Sequence, residues 1–570
     1  MQRMPADQSS AARLPPRPPY TGLERNKRAL SGGQGDAVPR PRERTATLVV
    51  VSTGLFMLLL DLTVVYVALP SVRSSLHASL SELQWVIDVY AMALAATLLA
   101  SGALADIVGR RRILCVGLAI FSLASLACGL VQTAPELIVG RAVQGIGGAM
   151  IFATSFAIVG VTFEGPARGT AFGVLGSVAA VAAALGPLVG GAFTELLGWP
   201  AIFFANVPLG AAALVVALRS VPETRRPDPP PVDWVGTVLL CALLGLLAFA
   251  LLRGNDAGWG SAPIVALFGG AAVCLVAFVL VEQRRREPLL DPRLLRRPTF
   301  LGVSLVAFAQ AAALFGLLLY LSIYVQGVLE YSPLKTGLCL LPMPLAAVPP
   351  GLAAAWLGAR FPPRALLAGG LLLIAVGITL FLRVEPTDGW LQMLPAFVLA
   401  GTGLGLINPP LAAAAVDVVP SGRAGLGSGT NATFRQAGIV LAIAAYGAIF
   451  EHRVTVEVAD RLGGTPLLRY ADRITDAIIA GGRGETLADA PPELRPHIRD
   501  VVEHAFLEGL HVIVIVAAVV AAFSAVAVAV LVRTRDLEPD GAAARLRSDT
   551  RAPLAAAAEL APAADASDPV

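Results

Sequence analysis

TLVVVSTGLFMLLLDLTVVYVALP, residues 47–70, carries one charged side chain, Asp61, and is otherwise apolar or small and neutral. About 20 apolar residues in a row are enough for a helix to cross the hydrocarbon core of a bilayer. The same pattern recurs at 83–105, 112–132, 136–161, 168–193, 200–219, 234–252, 263–281, 300–327, 334–357, 364–383, 391–416, 424–450 and 509–532. Of the 570 residues, 56% are hydrophobic and 15% charged. Soluble domains run at about 45–50% apolar and about 25% charged, so a water-soluble fold is excluded. The fold class is all-α integral membrane, with fourteen transmembrane helices. The weakest spans are 200–219 and 334–357, the latter interrupted by Pro342, Pro344, Pro349 and Pro350.

Loop charge orients the chain. With the N-terminus inside, the inner loops hold Arg110, Arg111, Arg112, Arg168, Arg219, Arg225, Arg226, Arg284, Arg285, Arg286, Arg293, Arg296, Arg297, Arg360, Arg364 and Arg423. The short outer loops hold Arg73, Arg253, Lys335 and Arg383. Such a bias marks the cytoplasmic side and, with an even span count, puts both termini inside the cell membrane. Residues 1–46, rich in Pro, Arg and Ser, read as a disordered cytoplasmic tail rather than a signal peptide; 533–570 read as a second tail.

The spans group as six, two and six: a bundle at 47–220, a stretch at 221–299 with two extra central helices, and a second bundle at 300–532 whose only long outer loop is 451–508. GALADIVGRRR (102–112) and GLAAAWLGARF (351–361) echo each other, each with two glycines seven apart before arginine at an inner turn. Pseudo-repeated six-helix halves around a midplane site are a common plan of secondary transporters.

Several chemistries are excluded. A net charge of +3 is no footprint for nucleic acid. The two lysines, Lys27 and Lys335, stand in no GxxxxGK[ST] phosphate loop, so any uphill work draws on an ion gradient or a separate subunit. Cys115, Cys128, Cys241, Cys274 and Cys339 lie singly in apolar runs, which suggests neither disulfide nor metal. His497, His504 and His511 are spaced by seven, so neighbours on a helix stand about 10 Å apart, too far to share one ion. No metal, cofactor or membrane-enzyme site is expected.

Ionisable groups within a bilayer are costly, and each needs a reason. Asp61 lies deep in the first span, Asp88 near the start of the second, Arg141 in the fourth and Arg435 in the thirteenth. The acids read either as proton sites, with Arg141 modulating the charge, or as static counter-ions that set helix packing. Arg141, Gln144, Gly145 and Gly148 share one helix face; Gly427, Asn431, Arg435 and Gly438 share another, with Gln436 beside them. Asn431 and Gln436 read equally as a packing seam or as ligand contacts. LGPLVGG (185–191) ends the fifth span with Gly186, Pro187, Gly190 and Gly191, a set suited to close packing and a kink between the halves. Asp106, beside Arg110, is a candidate conformational latch with Gly102 and Gly109, its alternative being a solvated charge cluster.

These motifs together resemble the major facilitator superfamily, and in particular its fourteen-span drug:proton antiporter branch. GALADIVGRRR resembles the signature between spans two and three, Arg141 with Gln144 and Gly145 the span-four motif, and LGPLVGG the end of the span-five antiporter motif. LDLTVVYVALP resembles the branch's first-span motif, supported by QWVIDVYAMALAA (84–96), FFANVPLG (203–210), YSPLKTG (331–337) and GLGSGTNATFRQAG (425–438). The resemblance implies alternating-access export of a small lipophilic drug or secondary metabolite in exchange for protons. Asp61 would take part in proton coupling and Arg141 would modulate it; Asp88, by its place in a span and not by the resemblance, is a further proton-coupling candidate. Tyr66, Trp85, Tyr90, Gln144, Asn431, Arg435 and Gln436 would line the substrate cavity, and Gly186, Pro187, Gly190 and Gly191 would form the hinge. The chain departs from the family pattern at Tyr66, where asparagine is usual, and at Ala182, where glycine is usual. Import by symport or uniport, or a transport-inactive sensor or scaffold, are the alternatives. The implied partners are the bilayer, a lipophilic substrate and protons, with the chain acting as a monomer.

Overall fold

A computed structural model describes residues 41–163, 165–225, 231–285, 288, 290–385, 388–419, 424–463, 465, 468, 470–479, 495–533 and 536. The first bundle comprises α1 (Pro41–Leu76), α2 (Leu80–Val108), α3 (Arg110–Leu130), α4 (Ala134–Thr162), α5 (Gly165–Leu197), α6 (Ala201–Phe204) and α7 (Asn206–Ser220). The extra pair is α8 (Trp234–Ala257) and α9 (Ala262–Arg284). The second bundle comprises α10 (Pro298–Ile323), α11 (Pro333–Leu340), α12 (Pro342–Leu352), α13 (Ala354–Arg360), α14 (Pro363–Thr379), α15 (Leu394–Asp417), α16 (Ala424–Leu462), α17 (Ala471–Ile479) and α18 (Arg495–Leu531).

Local chemistry sets the helix starts. Ser79 and Thr133 each form a capping box, with Glu82 and Glu136 returning a carboxylate to the cap backbone. Gly109, at φ +124°, turns α2 directly into α3. A side chain there would be strained, and its Cβ would sit against the Glu223 carboxylate.

Helices α1–α7 pack among themselves, as do α10–α18. Pair α8–α9 lies outside both bundles, with α8 against α2 and α16. One end of the molecule carries the turn at His77 and the other the turn at Gly109. The halves are clasped at the His77 end. There the Gly191 Cβ position abuts Pro333 O and that of Gly337 abuts Pro187 O, so α5 and α11 touch backbone to backbone. Gln326 Nε2 donates to Val67 O at 2.8 Å, and Glu195 Oε2 accepts from Leu334 N at 2.9 Å. Toward the Gly109 end, Leu99 of α2 still meets Gly429 of α16. On the other flank, Gly173 and Gly176 of α5 and Gly358 of α13 have no neighbouring atom within 4 Å of a Cβ position.

Thirteen helices among the described residues are long and apolar enough to cross a membrane. The tenth span expected at 334–357 is broken into α11, α12 and α13, each proline contributing no N–H to the helical ladder. Three boundaries need correction. Helix α1 starts at Pro41, inside the tail expected over 1–46. The expected outer loop 451–508 is largely helical in its described parts, because α16 continues to Leu462 and α18 begins at Arg495. Ion pairs within and between these extensions support them, including Arg461–Glu457 at 2.8 Å and Arg453–Glu508 at 3.4 Å. The remaining tail residues 1–40, nearly all of 533–570, and Arg226, Arg286 and Arg423 of the loop tally lie outside the described residues.

The seam predicts a contrast between two glycines of α5. Gly191→Leu overpacks the contact with Pro333, at a cost of about 1–3 kcal/mol. Thermal unfolding in detergent will show a lower midpoint for Gly191→Leu and none of that loss for Gly173→Leu.

Candidate functional site

The first bundle is built around a charge it cannot expose. Arg141 of α4 is 1% exposed and pairs with Asp61 of α1 through Nη1 and Oδ2. The same Nη1 donates to Gln144 Oε1 at 2.6 Å, and Nε donates to Val86 O of α2 at 3.2 Å. The guanidinium lies over the Tyr90 ring, 4.0 Å from its centroid, a cation–π contact inside a dry site. Because Gln144 presents its oxygen to Arg141, its amide nitrogen is free to donate. Nε2 reaches Asp61 Oδ1 at 2.9 Å and Ser125 Oγ at 2.7 Å. Asn206 Nδ2 of α7 adds a third donor to Asp61, at 3.1 Å. Asp61 is thus fully engaged by Arg141, Gln144 and Asn206. Glycines make this possible: the Gly145 Cβ position abuts Tyr90 O, so α4 and α2 run almost in backbone contact.

Asp88 is the opposite case. It is 0% exposed, and neither carboxylate oxygen has a hydrogen-bond partner. It lies within electrostatic reach of the Tyr66 and Tyr320 hydroxyls. One turn away, Gln84 Nε2 donates to Tyr320 Oη at 2.7 Å, and Tyr320 donates to Ile443 O at 3.0 Å. Asp88 therefore sits at the seam where α2 meets α10 and α16 (the end near His77). Its place near the start of a span suggests the outer interface; the structure seals it inside.

The latch candidates stay within the first half. Arg110 Nη2 meets Asp106 Oδ1 at 2.9 Å, on consecutive helices joined at Gly109. The chain after α7 clasps the same turn: Arg110 N donates to Thr224 O at 3.0 Å and Arg111 N to Glu223 Oε1 at 3.1 Å. Gly102 is an ordinary contact, its Cβ position 4.0 Å from the Ala153 Cβ. The hinge glycines are packed tightly. The Cβ position of Gly186 abuts the Thr63 side chain and that of Gly190 lies 2.5 Å from Val64 O, pressing α5 onto α1.

The second half places a different group at mid-depth. Arg435 Nη2 of α16 donates to Asn408 Oδ1 of α15 at 3.4 Å, and Gln310 Nε2 of α10 donates to the same oxygen at 3.4 Å. Asn431 stands one turn from Arg435, its Nδ2 unpartnered; Gln436 is buried, its Oε1 unpartnered.

Of the seven residues expected to line a cavity, Tyr90 and Gln144 belong to the Asp61–Arg141 network, and Tyr66 is buried with a free hydroxyl. Trp85 is a correction. Its ring packs 6.2 Å from Phe249 of α8, so it faces the extra helix and not the interior. Sequence reasoning does not single out Ser125, Asn206, Asn408 and Gln310. The signal that marks them is a lone polar side chain in an otherwise apolar span.

A family model for the Major Facilitator Superfamily matches residues 51–443. The chain belongs to this superfamily. It is similar to the puromycin resistance protein of Streptomyces alboniger, 37% identical over 428 residues, covering 74% of this chain and 84% of that one. The tetracenomycin C resistance and export protein of Streptomyces glaucescens is 31% identical, with 87% and 92% covered. A multidrug efflux pump of Mycolicibacterium smegmatis is 31% identical, with 86% and 97% covered. Among solved structures, a bacterial homologue of the human lysosomal transporter Spinster, inward-facing and unoccupied, superposes with a TM-score of 0.59 at 16% identity over 88% of this chain and all of that one. That likeness speaks to the fold. The superfamily is one of membrane transporters.

Breaking the buried pair from one side leaves an uncompensated charge, at a cost of about 3–5 kcal/mol. Arg141→Met will lower the unfolding midpoint sharply. The double change Asp61→Asn with Arg141→Gln will recover part of the loss, and Asn206→Ala alone will cost about 1–3 kcal/mol.

Proposed function

We propose that the protein exports small lipophilic compounds of antibiotic type across the cell membrane in exchange for protons, by alternating access. The printed functions of its relatives, resistance and export, support the direction. The loop arginines support a cytoplasmic Gly109 end and cytoplasmic termini. On that orientation the clasped His77 end is the outer gate, and the described state is inward-facing.

The observation that carries the coupling is Asp88, a fully buried carboxylate without a donor beside a gate that must open. Enclosing a bare charge in an apolar seam is far more costly than enclosing the neutral acid. A proton taken from the outer side lets the empty transporter close that gate. Its loss to the inner cavity restores the charge and favours reopening, which carries substrate out. Asp61 serves differently. Held by three donors, it anchors Arg141, whose bond to Val86 O fixes the turn that carries Asp88. Tyr90 and Gln144 belong to that anchor inside the first bundle, which leaves Tyr66, Asn431, Arg435 and Gln436 as the cavity candidates, and the chain acts as a monomer.

Proteoliposomes with an imposed pH gradient test this with tetracenomycin C as probe. Wild type will show substrate-dependent proton movement. Asp88→Asn, folded by its thermal midpoint, will lose it. Acidifying the outer face will raise the inward-facing fraction of wild type, because proton uptake favours closure, and will leave that of Asp88→Asn unchanged. Coupled flux that survives in Asp88→Asn and vanishes in Asp61→Asn would return the proton site to Asp61.

A further inference from the structure

Arg435 stands partly buried at mid-depth of the second half, and no carboxylate among the described residues pairs with it. The two acids deep in the spans are accounted for elsewhere. Asp61 is engaged by Arg141, and Asp88 lies at the outer seam, about two turns nearer the His77 end as α2 and α16 run antiparallel, Gln84 beside Gly447 and Leu99 beside Gly429. The neighbours of Arg435 fix the character of the site. A guanidinium only donates, so Asn408 must turn its oxygen to Arg435. Gln310 must then donate to that same oxygen, which leaves its own Oε1 unpartnered although the side chain is 1% exposed.

The remaining donors are unspent. Arg435 Nε and Nη1 and Asn408 Nδ2 make no hydrogen bond yet are not sealed from the surface, while Asn431 Nδ2 is buried and unpartnered. Helices α15 and α16 thus bring donors and a net positive charge to one place, and no protein acceptor among the described residues takes up these donors. Charge-assisted, multi-donor arrangements of this kind suit a planar or delocalised oxygen anion.

We propose that Arg435, Asn408 and Asn431 form a subsite for an anionic oxygen group on the exported compound, a carboxylate or an ionised phenol or enol, so that the transporter selects acidic over cationic lipophiles. This rests on the efflux reading and names its substrate class. The charge balance follows. One monoanion leaving against one entering proton moves two positive charges inward, so an inside-negative membrane potential drives the exchange. Gln310 is a positioning residue here, holding Asn408 by its oxygen.

Three matched probes test the subsite: pyrenebutyrate, its methyl ester and pyrenebutylammonium, bound to the full chain in phosphatidylcholine nanodiscs, with empty discs subtracted. Wild type will bind the carboxylate about tenfold or more tighter than the ester. Arg435→Gln will erase that preference and leave the ester unchanged; Arg435→Lys will keep part of it, and Asn408→Ala will weaken the carboxylate alone. Equal binding of carboxylate and ester in wild type, or a preference for the ammonium, overturns the proposal. So does equal loss of all three probes in both Arg435 variants, which would mark a structural role. Displacement of the carboxylate by phosphatidylglycerol in the disc would assign the site to a lipid headgroup and overturn the substrate reading. Substrate-driven proton flux measured separately tells the two failures apart. Flux with no carboxylate preference removes the subsite alone; a carboxylate preference without flux removes the efflux reading alone.

Discussion

A charge placed in the middle of a bilayer must find its partner inside the protein, and the Asp61–Arg141 pair is where this chain meets that requirement. Desolvating both ions is costly, so the pair holds because a set of further hydrogen bonds surrounds it. Ser125 and Asn206 extend the set, and Val86 O and the face of Tyr90 meet Arg141 from α2. The network draws in α1, α2, α3, α4 and α7, nearly the whole first bundle. A bundle tied together in this way moves as a body.

Motion is left to the seams between the bodies. At the seam near His77, small residues allow α5 and α11 to touch backbone to backbone, since lipid gives helices no hydrophobic reason to associate and close packing must do so instead. Few hydrogen bonds cross there: Gln84 to Tyr320, Gln326 to Val67 and Leu334 to Glu195 are the principal ones. Contacts of this size can be made and broken in each cycle, and Asp88 sits among them. The halves are therefore unequal in chemistry as well as in role. The first neutralises its arginine internally, while the second leaves Arg435 for something that arrives.

Much of the site is legible in the amino-acid order alone. Asp61, Asp88, Arg141 and Arg435 announce themselves as charges where charge is expensive, and the pairing of Arg141 with an acid follows from the same cost. The shared face of Arg141, Gln144, Gly145 and Gly148 is helix geometry alone. Partner choice is what stays hidden. Asp61 and Asp88 are equivalent as letters, yet one is saturated and the other bare. Trp85 looks like a cavity aromatic but lies against Phe249 of α8, and Asn408 carries no mark of its link to Arg435.

The class of protein and the positions of most spans follow from the chain read segment by segment. Each depends on the length and composition of a single stretch in a solvent of fixed thickness. The rotation of each helix about its axis, and the identity of the helix it meets, emerge only once the bundle is assembled. Lipid is as apolar as leucine, so a span's hydrophobic surface carries no instruction about which side turns inward. That choice rests on the fit of glycines against facing backbones and on buried polar groups finding one another across distant parts of the chain.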